Sequence, residues 1–166
     1  MTSNAISRVS STLTRPADTV TYAQNDLIAS STTAGSISVP TLTVPNRVQG
    51  LRYMIRRVIL TTPKTTGMSA FQAFIEFWKD APTFTNPDNG AYAVATGAAS
   101  YLGRTTTTVM TQAADGGYCE GVPTTGVEIV LEGIPTVYWS LKEADATGFF
   151  PSSAQTFVLT AELIGV

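Results

Sequence analysis

The stretch SAFQAFIEFWKDAPTFTNPDNGAY, residues 69–92, carries two incompatible periodicities in its first half. Phe71, Phe74, Ile75 and Trp78 recur at i, i+3, i+4 and i+7, the stripe of an amphipathic helix. Phe71, Ala73, Ile75 and Phe77 alternate instead, as one face of a β-strand does. A helix would have to fit between Gly67 and Pro82, barely above the usual minimum length and isolated among strand-like segments, whereas a nine-residue strand is ordinary. The strand reading sends Phe71, Ala73, Ile75 and Phe77 into a core. It leaves Phe74 and Trp78 on the opposite face, needing cover from the loop that follows or from a neighbouring molecule.

The flanking sequence repeats the strand signal. Short apolar or alternating runs recur with Gly, Pro, Asn or Asp between them, about eight to ten in all, which is the pattern of an all-β domain. TVYWSLKEA (residues 136–144) places Val137, Trp139 and Leu141 inward, and VEIVLE (residues 127–132) does the same with Val127, Ile129 and Leu131. QTFVLTAELIGV (residues 155–166) and RTTTTVMT (residues 104–111) add further strands, and TVTYAQNDLIAS (residues 19–30) reads as two extended pieces about a Gln24-Asn25-Asp26 turn. In GSISVPTLTV (residues 35–44) the alternation breaks phase at Pro40, which marks an edge or a bulge. GLRYMIRRVILTT (residues 50–62) has no wholly polar face under strict alternation and reads as a central strand covered on both sides along part of its length.

Size and composition set outer limits. A chain of 166 residues suits one domain with a single core, able to bury roughly 70% of its unfolded surface. Hydrophobic residues make up 43% and charged residues 13%. With so little charge the polar surface falls to Thr and Ser, which suit strands and do little to keep neighbouring copies apart. A net charge of −2 supplies no cationic field for a phosphate backbone, so nucleic acid is not expected as a partner. Cys119 is the single cysteine, so no intrachain disulfide can form. No run resembles a signal peptide or a membrane span, and the expectation is a soluble protein with no membrane partner.

The chain has no histidine, which removes the commonest general base and most zinc sites. Cys119, beside Glu120, reads as a buried or incidental thiol. NPDNG (residues 86–90) lacks the alternating ligands and closing Glu of a calcium loop and reads as a tight turn. No catalytic residue, metal or cofactor is therefore expected. Arg52, Arg56 and Arg57 invite a choice between structural pairing and contact with an acidic partner; strict alternation puts Arg52 and Arg56 on one face and Arg57 on the other.

Two segments suit contact with other subunits. Residues 1–14, rich in Ser and Thr, are compatible with a disordered tail or with an extended arm reaching over a neighbour, anchored by Ile6, Val9 and Leu13 with Arg8 as its cation. Either way they are expected to be removable from the domain at 15–166 without unfolding it. Phe149 and Phe150 lie in a loop that caps the core or meets a subunit.

The order and spacing of TRPADTVTYAQNDLIA (residues 14–29), IRRVILTT (55–62), FIEFWKDAPTFTNPDNGAY (74–92), YLGR (101–104) and PSSAQTFVLTAELI (151–164) resemble a family of head decoration, or cement, proteins of tailed bacteriophages. The resemblance implies an antiparallel β-sandwich of jelly-roll type on the outer surface of an icosahedral shell, made in the host cytoplasm. It further implies binding to the major capsid protein and homotrimers near three-fold positions. On that reading the contact residues are Ile6, Arg8, Val9 and Leu13 of the arm, Trp78, Phe84 and Tyr92 in and beside the 80–92 loop, and Phe149 and Phe150. A sugar- or receptor-binding module of a tail or fibre is the alternative, and it requires an exposed Trp78. A carboxylate-based hydrolase requires two acidic side chains converging on one cleft.

Overall fold

The computed structural model describes residues 6–45, 52–64, 66–123 and 129–165. In chain order the strands are β1 (Ile6–Thr14), β2 (Leu27–Ile28), β3 (Thr41–Thr43), β4 (Arg52–Thr62), β5 (Ala73–Trp78), β6 (Thr83–Phe84), β7 (Val94–Thr96), β8 (Tyr101–Thr107), β9 (Thr111–Ala113), β10 (Gly116–Pro123), β11 (Val130–Glu132), β12 (Thr136–Glu143) and β13 (Thr156–Gly165). One antiparallel sheet runs β1-β13-β4-β10-β8-β5-β12-β2, with β11 beside β4, β9 beside β10 and β3 beside β12. The sheet curls until β1 lies against β3, closing a jelly-roll-like β-sandwich. The β6-β7 pair forms a separate small ribbon.

The strand reading of the opening stretch holds. β5 begins at Ala73, and Phe71, Ala73, Ile75 and Phe77 are all fully buried. They meet Val137, Trp139 and Leu141 of β12 and, from the other layer, Val58 and Leu60 of β4 and Phe157, Leu159 and Ala161 of β13. Fully burying side chains of this size stabilises by about 1.5–3 kcal/mol each, so this interior dominates folding. Of VEIVLE, Ile129 and Leu131 are buried as expected, while Val127 lies outside the described residues. Around Pro40 the expected long strand is shorter: a 3-10 turn at Ala34–Ser36 precedes β3, and Ile37 and Val39 pack instead on Leu27, Ala29 and Phe84.

Two expectations need correction. Strand β4 does not alternate strictly: Glu162 pairs with Arg57 and Leu163 with Ile55, so Arg56 is an extra residue, a β-bulge. The bulge resets the phase, so that Tyr53, Ile55, Val58, Leu60 and Thr62 all face the core, and Arg56 and Arg57 lie together on the outer side. One face of β4 is covered, not two. The N-terminal segment, from Ile6 to Thr14, is neither tail nor arm over a neighbour: it pairs along its whole length with β13 of its own chain, and Leu13 enters the core. Alternation explains this, because Ser7, Val9, Ser11 and Leu13 share one face and Ile6, Arg8, Ser10, Thr12 and Thr14 the other.

A buried polar staple ties three loops at one end of the sandwich. The Arg15 guanidinium, with no side-chain exposure, donates to Asp88 Oδ2 at 3.1 Å and Asp18 Oδ1 at 3.0 Å, and its Nε donates to Tyr22 Oη. Tyr22 Oη donates in turn to Asp88 Oδ1 at 2.6 Å, and the same oxygen accepts the Ala29 N–H. The NPDNG segment is thus a turn, with Asn89 at φ 60, whose aspartate crosses to the opposite loop.

Candidate interaction surface

The outward side chains of β1, β13, β4 and β10 line up in rows across four strands. Thr12, Val158, Thr61 and Tyr118 form one row, and Ser10, Thr160, Ile59 and Glu120 the next. The third begins Arg8, Glu162, Arg57 and continues towards Val122. Ser10 and Thr160 hydroxyls sit 2.8 Å apart. Tyr118 and Val122 are exposed, and the face as a whole is hydroxyl-rich and β-branched, with charge gathered at one end.

That charge is an interlocked group. Glu162 Oε1 accepts from Arg8 Nη2 at 2.7 Å and from Arg57 Nη2 at 2.9 Å, and Arg57 Nη1 reaches Glu120 Oε2 at 3.2 Å. Hydrogen bonds from Arg57 and then Arg8 hold the Glu162 carboxyl down at about 2. Beside it a depression of about 680 Å³ is lined by Ile6, Arg8, Arg56, Arg57, Val122 and Glu162. Arg56, exposed at the bulge, has no ion-pair or hydrogen-bond partner among the described residues. A second depression of about 640 Å³ lies further along the face, between Thr61, Tyr118 and Val158.

The expected contact residues divide. Ile6, Arg8 and Phe150 are exposed, Phe150 at 70%. Val9 and Tyr92 are half-buried against the two hydrophobic clusters. Leu13, Trp78, Phe84 and Phe149 are buried in their own chain and present no free surface, which corrects their reading as contacts. Phe149 stacks on Tyr22 with centroids 4.8 Å apart and meets Phe71 edge-on, so it caps the core, the first of the two readings its loop allowed. Trp78 finds its cover at home: Tyr101 lies 4.8 Å away and its Nε1 donates to Ser140 Oγ at 3.2 Å. The loop from residue 79 to 100 brings Tyr92 onto the same hydroxyl at 2.9 Å, while Phe74 is flanked by Arg104 and Lys142.

Sequence reasoning missed the open sheet face. Its strand β10, in DGGYCEGVP, was hidden by glycines, and those glycines are required: a Cβ on Gly121 would sit 2.5 Å from Thr105 Cγ2. The signal that was available is the run of outward Ser and Thr in β1 at alternate positions.

Cys119 is buried and its thiol is pushed up to about 11, chiefly by that burial. Glu143 is also fully buried. Burial pushes its carboxyl up to about 7 against the opposing pull of nearby backbone N–H groups, including that of Asp145 at 2.8 Å. Glu120 and Glu162 both pair with Arg57, Glu120 at 3.2 Å and Glu162 at 2.9 Å. With Trp78 at 4% exposure and Trp139 at 0%, neither indole offers a platform for a sugar ring. No protein-family model matches the chain, and no curated protein sequence matches it.

Proposed function

We propose that the chain is a non-enzymatic virion protein, a decoration or cement protein that binds the outer surface of a phage shell made of major capsid protein and stabilises it. The observation that carries this reading is the open four-strand face, a broad, hydroxyl-rich surface whose charge is gathered at one end. Such a surface suits another protein better than a small molecule, since it offers breadth and cross-strand regularity in place of a deep pocket. The resemblance of the chain's segments to head decoration proteins supports the same reading.

The physical action is mass action. A protein that binds the assembled shell more tightly than loose subunits shifts assembly toward the shell. Modest contacts repeated by icosahedral symmetry, or linked by trimer formation, add through avidity. Shells stripped of the protein and titrated with it test this. Their dissociation temperature rises with added protein and saturates at a fixed number of copies per shell; an unchanged temperature at saturating protein rejects the reading.

A further inference from the structure

We infer that the depression at the bulge of β4 is a docking site for an acidic side chain carried on an extended, otherwise apolar segment of a partner protein, with Arg56 as the residue that pairs with it. The partner's being the shell protein rests on the function proposed above; the site's chemistry does not.

Among the described residues, the charges lining the depression are unbalanced. Three guanidiniums, of Arg8, Arg56 and Arg57, face one carboxylate, that of Glu162. Glu162 is already satisfied by Arg8 and Arg57, and Arg57 also holds Glu120, so the cation left without a counter-ion among the described residues is Arg56. Its position is no accident of alternation, because the bulge inserts it as the extra residue opposite Glu162 and Leu163 and keeps it on the outer face beside Arg57. A bulge interrupts ladder hydrogen bonding and re-aims a side chain, and bulges are over-represented next to functional sites. A planar guanidinium there matches a carboxylate in a two-pronged fashion. On either side stand Ile6 at 49% and Val122 at 62% exposure, apolar walls for the residues flanking the acid.

The same layout disfavours nucleic acid. A phosphate backbone would bring a string of negative charges onto Glu162 and Glu120, whereas a single acidic side chain between apolar neighbours meets Arg56 and avoids both.

Two measurements test the site. The first is an NMR titration of the whole protein with a capped Val-Glu-Val peptide at millimolar concentration, with Val-Gln-Val and a short oligothymidylate as comparisons. The Glu peptide shifts the Arg56 Nε–H signal and the amides of Ile55 and Val122; the Gln peptide and the oligonucleotide do not, and Arg56→Gln abolishes the response at the amides. Absence of a shift with the Glu peptide, or an equal shift with the oligonucleotide, overturns the inference whatever the protein's role. The second is co-sedimentation with stripped shells at about 0.15 M salt. Arg56→Glu weakens binding by about tenfold or more and Arg56→Gln by less, with both variants folded by their spectra. Wild type and Arg56→Glu binding alike would overturn the docking role and leave the decoration reading standing; a peptide response without shell binding by wild type would do the reverse.

Discussion

At the scale of single residues, the buried ionisable groups decide how the protein responds to mutation and pH. Asp88 and Arg15 are inaccessible and meet at 3.1 Å, so Asp88→Ala strands a buried guanidinium with Asp18 as its remaining carboxylate. Breaking such a pair from one side costs about 3–5 kcal/mol, which urea unfolding will read as a lowered midpoint. Glu143 works in the opposite sense. Its folded carboxyl is raised from 4.5 to about 7, so the folded state binds the extra proton, and stability falls as pH rises through that window. Glu162, lowered to about 2, contributes stability that is present above the ordinary carboxylate range and is lost as pH falls toward 2. Glu143→Gln is therefore expected to flatten the decline between about pH 5 and about pH 8, leaving the acid limb intact, as followed by thermal unfolding across pH. At this scale the sequence was partly legible. Asp88 was readable as a turn residue from its Pro and Gly neighbours, but its partner Arg15 lies 73 positions away, and no local pattern encodes that distance.

Among the elements, strict alternation was the reliable guide wherever one face is buried and the other wet. That is why β12, β13 and the Phe71-to-Phe77 alternation were readable. It misled at β4, because one inserted residue reverses which side chains point inward and mimics a strand apolar on both faces. The bulge supplies a sharp test. Arg56→Ala removes an exposed side chain and should change stability by less than about 0.5 kcal/mol. Deleting Arg56 restores a regular ladder in which Tyr53, Ile55, Val58, Leu60 and Thr62 alternate strictly on the core face, so the protein should still fold, whereas inserting one further residue after Arg57 would drive either Tyr53 and Ile55 or Val58 and Leu60 out of the core and should prevent folding; circular dichroism and soluble yield separate the two outcomes. Strand β1 carries a related lesson. Read as a dispensable arm for its Ser and Thr content, it supplies a full edge strand, a core leucine and one arm of the Glu162 group. Removal of residues 1–14 should therefore unfold or aggregate the domain by exposing β13, and Leu13→Ala alone should cost about 2–4 kcal/mol.

For the whole molecule, a chain with 13% charged residues covers itself with threonine and serine and keeps its largest aromatics inside. The fold class was legible because that composition and the alternating runs agree. The candidate surface was not, because it is assembled from four strands far apart in sequence, with one of them, β10, disguised by glycine. Loops were the expected contact elements; of their aromatics, Phe150 is the one left largely exposed, and the broad sheet face takes their place. On the proposed function, it is this face that grips a protein shell. Imaging purified particles with and without the gene product, at a resolution that traces strands, tests it most directly. Sandwich-sized density is expected on the shell exterior in the first sample only, with β1, β13, β4 and β10 turned toward the major capsid protein. Particles with identical surfaces, or density in which that face points to solvent, would contradict it.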